Sequence, residues 1–421
     1  MRKKLRLENV IVFVFMAVII VCFFFKSNAF SYVDEGIIAV NNSVITACQI
    51  NKSRDKLEEK ENPIITSNVT FDQVASGFLN GLYAKIQLCE LNGDLANKLG
   101  FLDFYKSTGG IRLPNGYVAG VYAQTSTDYE IQQMIELKEF CDNEGIQLLY
   151  VNEPTKYIDD TIIEEQLGTK SYINQNADLF LSRLEECGIN YIDLRDNIRL
   201  EGKNSFDMFF RTDHHWTPDS GKWAAQAIAE KLNEDYDYDI DVTLYNDSNY
   251  IYTEYKNAWL GEQGKKLSAA YVGLDDYTCI EPRFDTNYTV TTIKGTVNGT
   301  FSDTIIDKNN YNTGNMEMIY SCPSWHYSYM RNGLNASIIT NNQIKEGHIL
   351  VLGDSYDQLT SPFLSLGVNE VRTLVLRSYE GSLQEYIKQN NIDTVIVAYA
   401  SFMIGAHDNP SSANYAMFDF H

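Results

Sequence analysis

The sequence predicts an α/β protein of three layers, a parallel sheet covered by helices on both faces. Two observations carry this. Short segments apolar throughout alternate with amphipathic ones, and glycines punctuate the joins. Thr127 and Glu130 have the spacing of a capping box, and Ile131, Met134, Ile135 and Leu137 share one face of a helix running to Phe140. Gly145 ends that helix and residues 146–151 (IQLLYV) form a buried strand. The unit recurs: residues 177–187, with Leu179, Phe180 and Leu184 apolar, form a helix stopped by Gly188, and 189–194 a strand. Further on, 349–352, 371–376 and 394–398 read as strands, with helices over 357–366 and 382–390 between them. A strand without polar alternation must be buried on both sides, which is the situation in a parallel sheet.

Three regions follow: 1–29, 30–122, and an α/β domain over 123–421 that carries an insertion at 237–347. The insertion is rich in Tyr, Asn, Thr and Asp with short alternating runs such as 288–293 (YTVTTI), which suits a β-rich or loop-rich segment interrupting the core. Asn287, Asn298 and Asn335 open glycosylation sequons, which matter only in a host that uses them. At the start, Arg2, Lys3, Lys4 and Arg6 precede an uncharged apolar run over 10–25, a membrane-insertion signal. It reads as an anchor or a signal peptide. Residues 26–30 lack a clean small-x-small cleavage site, which favours an uncleaved N-terminal membrane anchor, and the basic flank then places the rest outside the cytoplasm. The charged stretch at 52–61 reads as a solvated stalk.

With 421 residues, of which 44% are hydrophobic, the chain can bury a large core, and a formal charge of -22 excludes a nucleic-acid partner. Seven cysteines with no C-x-x-C pair give no support to a zinc finger or redox centre. Cys141 and Cys187 fall in the last turns of helices, where buried free thiols are expected; the pairing of the others is open.

Two motifs carry chemistry. Gly353-Asp354-Ser355 follows a buried strand and precedes a helix, where a sharp turn lifts a serine hydroxyl above the sheet edge. Taken alone, it is more readily an ordinary turn and helix cap. The second motif is Asp213-His214-His215-Trp216-Thr217-Pro218, with Thr217 and Pro218 suited to cap the following helix. If its first part is extended, Asp213 and His215 share a face and His214 points away. Asp213 then orients His215 and His215 faces Ser355, the series that acyl transfer needs. Trp216 is either a sugar-stacking platform or core. Asp and two histidines also invite a metal, but His326, His348 and His407 are isolated in sequence, so none is expected.

The string Arg211 to Pro218 with Gly353-Asp354-Ser355 downstream resembles the DHHW family of SGNH-hydrolase-like proteins, related to the alginate O-acetylation proteins. The likeness runs from about Asp128 to the C-terminus and includes the permuted order, in which Asp-x-His precedes the serine. It implies an SGNH-like fold and a catalytic set of Ser355, His215 and Asp213. SGNH esterases supply a Gly and an Asn to the oxyanion hole. Neither is evident here, so Arg377, Tyr399 and Ser401, with His214 and Trp216, stand as candidates for oxyanion or substrate contacts. Gly261-Glu262-Gln263-Gly264-Lys265-Lys266 and Asp275-Asp276 also look like family features, of unassigned role.

The implied activity is O-acyl, chiefly acetyl, transfer to a cell-surface or secreted polysaccharide. It needs no diffusible cofactor and takes its acetyl from a membrane-bound O-acyltransferase partner. With water as acceptor, the same residues make a polysaccharide acetylesterase. A non-catalytic carbohydrate-binding or assembly protein on the same fold is the rival from another class, supported by 28 tyrosines and the aromatic, acidic insertion.

Overall fold

A computed structural model describes residues 85–100, 110–306, 316–321, 329, 336–405 and 414–421. The apolar run at 10–25, the expected stalk, Cys22, Cys48, Cys322, His326, Asn335 and His407 lie outside them. Among the described residues no helix is long and apolar enough to cross a membrane. The chain divides into two compact units, Met1–Leu91 and Asn92–His421, and the second contains the sheet.

The strands of that unit's main sheet and of the antiparallel pair in the insertion are β1 (Gln147–Glu153), β2 (Tyr191–Asp193), β3 (Tyr250–Trp259), β4 (Asp275–Pro282), β5 (Tyr288–Thr292), β6 (Gly295–Gly299), β7 (Ala336–Asn341), β8 (His348–Gly353), β9 (Glu370–Leu374) and β10 (Thr394–Ala400). The helices that cover them are α1 (Asp128–Glu144), α2 (Ile173–Glu186), α3 (Pro218–Asp235), α4 (Glu262–Leu267), α5 (Asp357–Leu364) and α6 (Leu383–Gln389). The main sheet has eight strands in the order β2-β1-β10-β8-β9-β7-β5-β6. From β2 to β9 the pairing is parallel, with Gly353 of β8 opposite Ala398 of β10 and Ala400 opposite Glu153 of β1.

Alternate residues of the parallel strands feed two separate cores. Leu149, Val151, Ile349, Val351, Ile396 and Ala398 face α3 and α5. Tyr150, Leu350, Leu352, Val395, Val397 and Tyr399 face α1, α2 and α6. Both sides are apolar because both are covered, and this is the three-layer arrangement that the sequence predicts.

The insertion departs from expectation. It does not simply interrupt the core: β7, β5 and β6 continue the main sheet with antiparallel pairing, so the sheet is mixed. The physical cause is visible in β5, where Tyr288 and Val290 are buried while the threonines between and after them are only partly covered, the alternation of a sheet wet on one face. A separate antiparallel pair, β3 and β4, lies in the same segment.

Local signals were obeyed unevenly. Thr217 accepts a hydrogen bond from the Ser220 N–H, and Pro218 opens α3, as its fixed φ and missing donor favour. The capping box at α1 does not form. Thr127 Oγ1 instead accepts from Arg183, and the Glu130 carboxylate accepts from the Gly405 N–H, so tertiary partners displace the local ones. Cys141 is buried and Cys187 half-buried, both as free thiols.

α3 and α5 pack closely: a Cβ at Gly221 would stand 2.5 Å from the Cβ of Leu359. On the same helix α5, the Phe363 ring meets Tyr250 at 6.0 Å, Phe301 at 5.8 Å and Tyr329 at 5.5 Å, joining the helix to the inserted segment. Truncating a fully buried phenylalanine leaves a cavity that neighbours on three elements cannot fill. Phe363→Ala should therefore cost about 3–5 kcal/mol, read as a lower chemical-denaturation midpoint at unchanged slope.

Candidate active site

Strand β8 ends at Gly353, where a Cβ would lie 2.6 Å from the Cβ of Asp357; only glycine lets the chain fold back so tightly into α5. Asp354 fastens the turn. Its Oδ1 accepts the Tyr356 N–H at 2.8 Å and its Oδ2 the Ala400 N–H at 2.9 Å, tying the serine loop to the end of β10. Ser355 is left partly exposed between these two anchors.

The stretch before α3 is a tight turn rather than the extended segment expected. Phe209 pairs with Trp216, Phe210 donates to the His215 carbonyl, and Thr217 donates to the Met208 carbonyl. Asp213 closes the turn through its own side chain: Oδ1 accepts the His215 backbone N–H at 3.1 Å, the local bond that makes Asp a turn former. Two bonds then lock this turn to the serine loop. The Trp216 indole donates to the Tyr356 carbonyl at 3.0 Å, and the Tyr356 hydroxyl donates to the His214 carbonyl at 2.5 Å.

Held in this way, His215 Nε2 stands 2.7 Å from Ser355 Oγ and His215 Nδ1 2.5 Å from Asp213 Oδ1. Asp213 is fully buried. Burial favours its protonated form, but His215 and His214, with the His215 side-chain and Glu262 backbone hydrogen bonds, outweigh that and hold its carboxyl well below the usual carboxylate range. The Glu262 N–H reaches Asp213 Oδ2 at 2.5 Å.

A second layer supports the turn. Asp275 of β4 accepts from the Arg211 N–H at 2.8 Å and from the Thr212 N–H at 2.9 Å and hydroxyl at 2.5 Å. Lys156 donates to the carbonyls of Val118 and Arg211 at 2.5 and 3.0 Å. Burial pushes the Lys156 ammonium down to about 7, against the opposing pull of Asp275 and Asp213. Lys156 escapes a reading of motifs, and Thr212, Glu262 and Asp275 stand in stretches that look like family features without showing their roles, since backbone donors and buried second partners have no signature in sequence.

The other candidates fare differently. His214 does not point away, because the turn folds its ring onto His215, with centroids 3.8 Å apart and its Nδ1 3.2 Å from Asp213 Oδ1. Burial, then the neighbouring His215, lower its pKa to about 3 despite Asp213, so it is neutral at physiological pH. Trp216 is fully buried and serves the core, not a sugar. Tyr399 is also buried, its hydroxyl donating to the Met417 carbonyl at 2.5 Å. Ser401 donates to Asn152 Oδ1 and the Glu153 carbonyl. Both are structural. Arg377 is exposed, directed at Asn414 from 3.5 Å, and its charge acts on Asp354. Half-buried Phe402, at the end of β10, lies 5.8 Å from His214 and stacks on Tyr122 at 6.4 Å, giving the site an aromatic flank.

Ligand atoms of Asp213, His214 and His215 fall within 4.8 Å of one another. The 2.5 Å between Asp213 and His215 is a hydrogen-bond separation, too short for two ligands each about 2.0–2.2 Å from one ion. The trio therefore fits proton handling better than metal binding.

Beneath the serine loop, burial raises the carboxyl of Glu153 well above its ordinary value and that of Asp357 to about 7, with Asp354 adding repulsion in both cases. Among the described residues neither Glu153 carboxyl oxygen has a hydrogen-bond partner. A carboxyl raised in this way binds its proton more tightly folded than unfolded, so stability is full below the unfolded value near 4 and lost as pH rises through the folded one. Asp357→Asn should thus raise the melting temperature more at pH 8 than at pH 4, by more than about 1 kcal/mol in free energy, in paired thermal melts.

Residues 122–248 match the family model described as the SGNH hydrolase-like domain of the acetyltransferase AlgX. No curated protein matches the chain. Among solved structures, Bacillus cereus PatB1 with a sulfonyl adduct is 20% identical, with a TM-score of 0.58, covering 73% of this chain and 97% of that one. A DHHW family protein from Eubacterium siraeum is 16% identical, with a TM-score of 0.52 and coverage of 73% and 93%. At these identities the structural likeness is one of fold. Over residues 122–248 the chain is similar to an SGNH hydrolase-like domain, the resemblance to which the Arg211 to Pro218 string points.

Proposed function

We propose that this chain is a serine-dependent acyltransferase that places acetyl groups on a polysaccharide outside the cytoplasm. The observation that carries the reading is the hydrogen-bonded series from Ser355 Oγ through His215 to the buried Asp213 carboxylate, at the C-terminal edge of a parallel sheet. With the Nδ1 proton held toward Asp213, Nε2 takes the proton of Ser355 as Oγ attacks the acyl carbonyl. The donor's leaving oxygen departs with that proton, leaving acyl-Ser355. A sugar hydroxyl then attacks, its proton passing to His215, and the ester forms as Oγ is released and takes that proton back from Nε2. Asp213 stabilises the imidazolium in both halves without itself taking the proton.

Support for the acetyl group and the polysaccharide comes from the family model of an acetyltransferase and from the aromatic flank of Tyr122 and Phe402, a surface on which a pyranose ring can stack. The apolar run at 10–25 supports an anchored, extracytoplasmic domain, and the resemblance to the alginate O-acetylation proteins implies a membrane-bound O-acyltransferase as acetyl source. Water in place of the sugar turns the same steps into an esterase; acetylated oligosaccharide among the products of an acceptor assay separates the two.

Hydrolysis of an aryl acetate should fall to background in Ser355→Ala and by roughly 100-fold or more in His215→Ala. Asp213→Asn should lose on the order of 10,000-fold, because an amide holds the imidazole in the wrong tautomer. A sulfonyl fluoride should modify the parent at Ser355 and leave Ser355→Ala untouched. Equal rates in parent and variants would sink the reading.

A further inference from the structure

We infer that the inserted segment is part of the active site, with Gly261 and Glu262 as positioning residues that hold the Asp213 carboxylate toward His215 through a backbone N–H. This rests on the acyl-transfer reading above. Asp213 has two oxygens to satisfy in a fully buried position. Oδ1 faces His215. Oδ2 accepts from Glu262, a residue 49 positions away in the insertion. A carboxylate bonded on one side only could rotate about its χ2 axis, and the imidazole it orients would turn with it.

The contact is built, not incidental. Gly261 N donates to Thr212 Oγ1 at 2.8 Å and Gly264 N to the Thr212 carbonyl at 2.8 Å, so three backbone donors of one short segment grip Thr212 and Asp213. The approach is so close that a Cβ on Gly261 would stand 2.3 Å from the Cβ of Asp213 and 2.6 Å from its Oδ2. A Cβ on Gly264 would stand 2.8 Å from the Cβ of Thr212. From the other side, Asp275 of the same insertion takes the Thr212 hydroxyl and two backbone N–H groups. Glycines at 261 and 264 are thus needed for space, and the N–H of Glu262, not its exposed side chain, does the positioning.

Proline isolates that N–H. Glu262 is the first residue of α4 and Gly261 before it is extended (φ -66°, ψ 171°), so proline fits the backbone there while deleting the donor. The comparison is Glu262→Pro against Glu262→Ala, both without the carboxylate and only one without the N–H. In aryl acetate hydrolysis, Glu262→Pro should show kcat lower than Glu262→Ala by roughly 10- to 100-fold, with KM little changed. The acid limb of its kcat/KM profile should move to higher pH, because Asp213 with one donor fewer is more basic. Matching kcat and pH profiles in the two variants, in a protein that Ser355→Ala inactivates, would overturn the inference and leave the acyl-transfer reading intact. Loss of the reading instead appears as equal rates in parent and Ser355→Ala. In that event, or if Glu262→Pro does not fold, the amide proton resonance of Glu262 decides. It should move upfield in Asp213→Asn, and an unmoved resonance rejects the contact.

Discussion

A carboxylate with no access to water sets the terms for everything around Asp213. An ionised group can stay buried only if hydrogen bonds and opposite charge replace its hydration. Here the replacement is contributed by both histidines, by the turn's own backbone and by the Glu262 N–H from the insertion. The electrostatic requirement thus explains a topological fact. A segment that could have been a dispensable surface loop is bound into the centre of the domain, and its glycines stand where side chains would collide with Asp213 and Thr212.

The sheet does the rest of the positioning. Parallel pairing puts the ends of β1, β10 and β8 side by side, so Glu153, Ala400 and Gly353 fall along one edge. Asp354 uses that alignment to pin the serine loop to β10. The Trp216 and Tyr356 side chains then fasten the histidine turn to the same loop, from 140 and 142 positions apart in sequence. His214 is kept neutral by burial and its neighbour, so it adds no positive charge beside His215. The carboxyls of Glu153 and Asp357 are stored in protonated-leaning form directly beneath, a cost in stability tolerated next to the site.

Much of this was legible in the chain. Strands apolar on both faces announce a covered parallel sheet, and Leu350, Val397 and their neighbours occupy the positions that pattern requires. Gly353, Thr217 and Pro218 act through local chemistry and were correspondingly readable. What failed were inferences that needed the third dimension. Extended geometry at 213–215 gave way to a turn because Asp213 bonds its own backbone, which brought His214 onto His215. Thr127 lost its cap role to a distant arginine. Trp216, Tyr399 and Ser401 are polar or aromatic in the right neighbourhood, but their directions are set by packing, which no spacing encodes. The role of Gly261 and Glu262 depends on a backbone N–H, and any residue except proline has one.

The central claim is that Ser355 becomes covalently acylated through His215. The most direct measurement is rapid-quench mass spectrometry of the protein mixed with an activated acetyl ester, followed by peptide mapping. The account predicts one acetyl group on the peptide carrying Ser355, formed in the parent and absent when that serine is alanine. Turnover without any acyl-enzyme, or an acetyl group mapped to another residue and retained in Ser355→Ala, would contradict it.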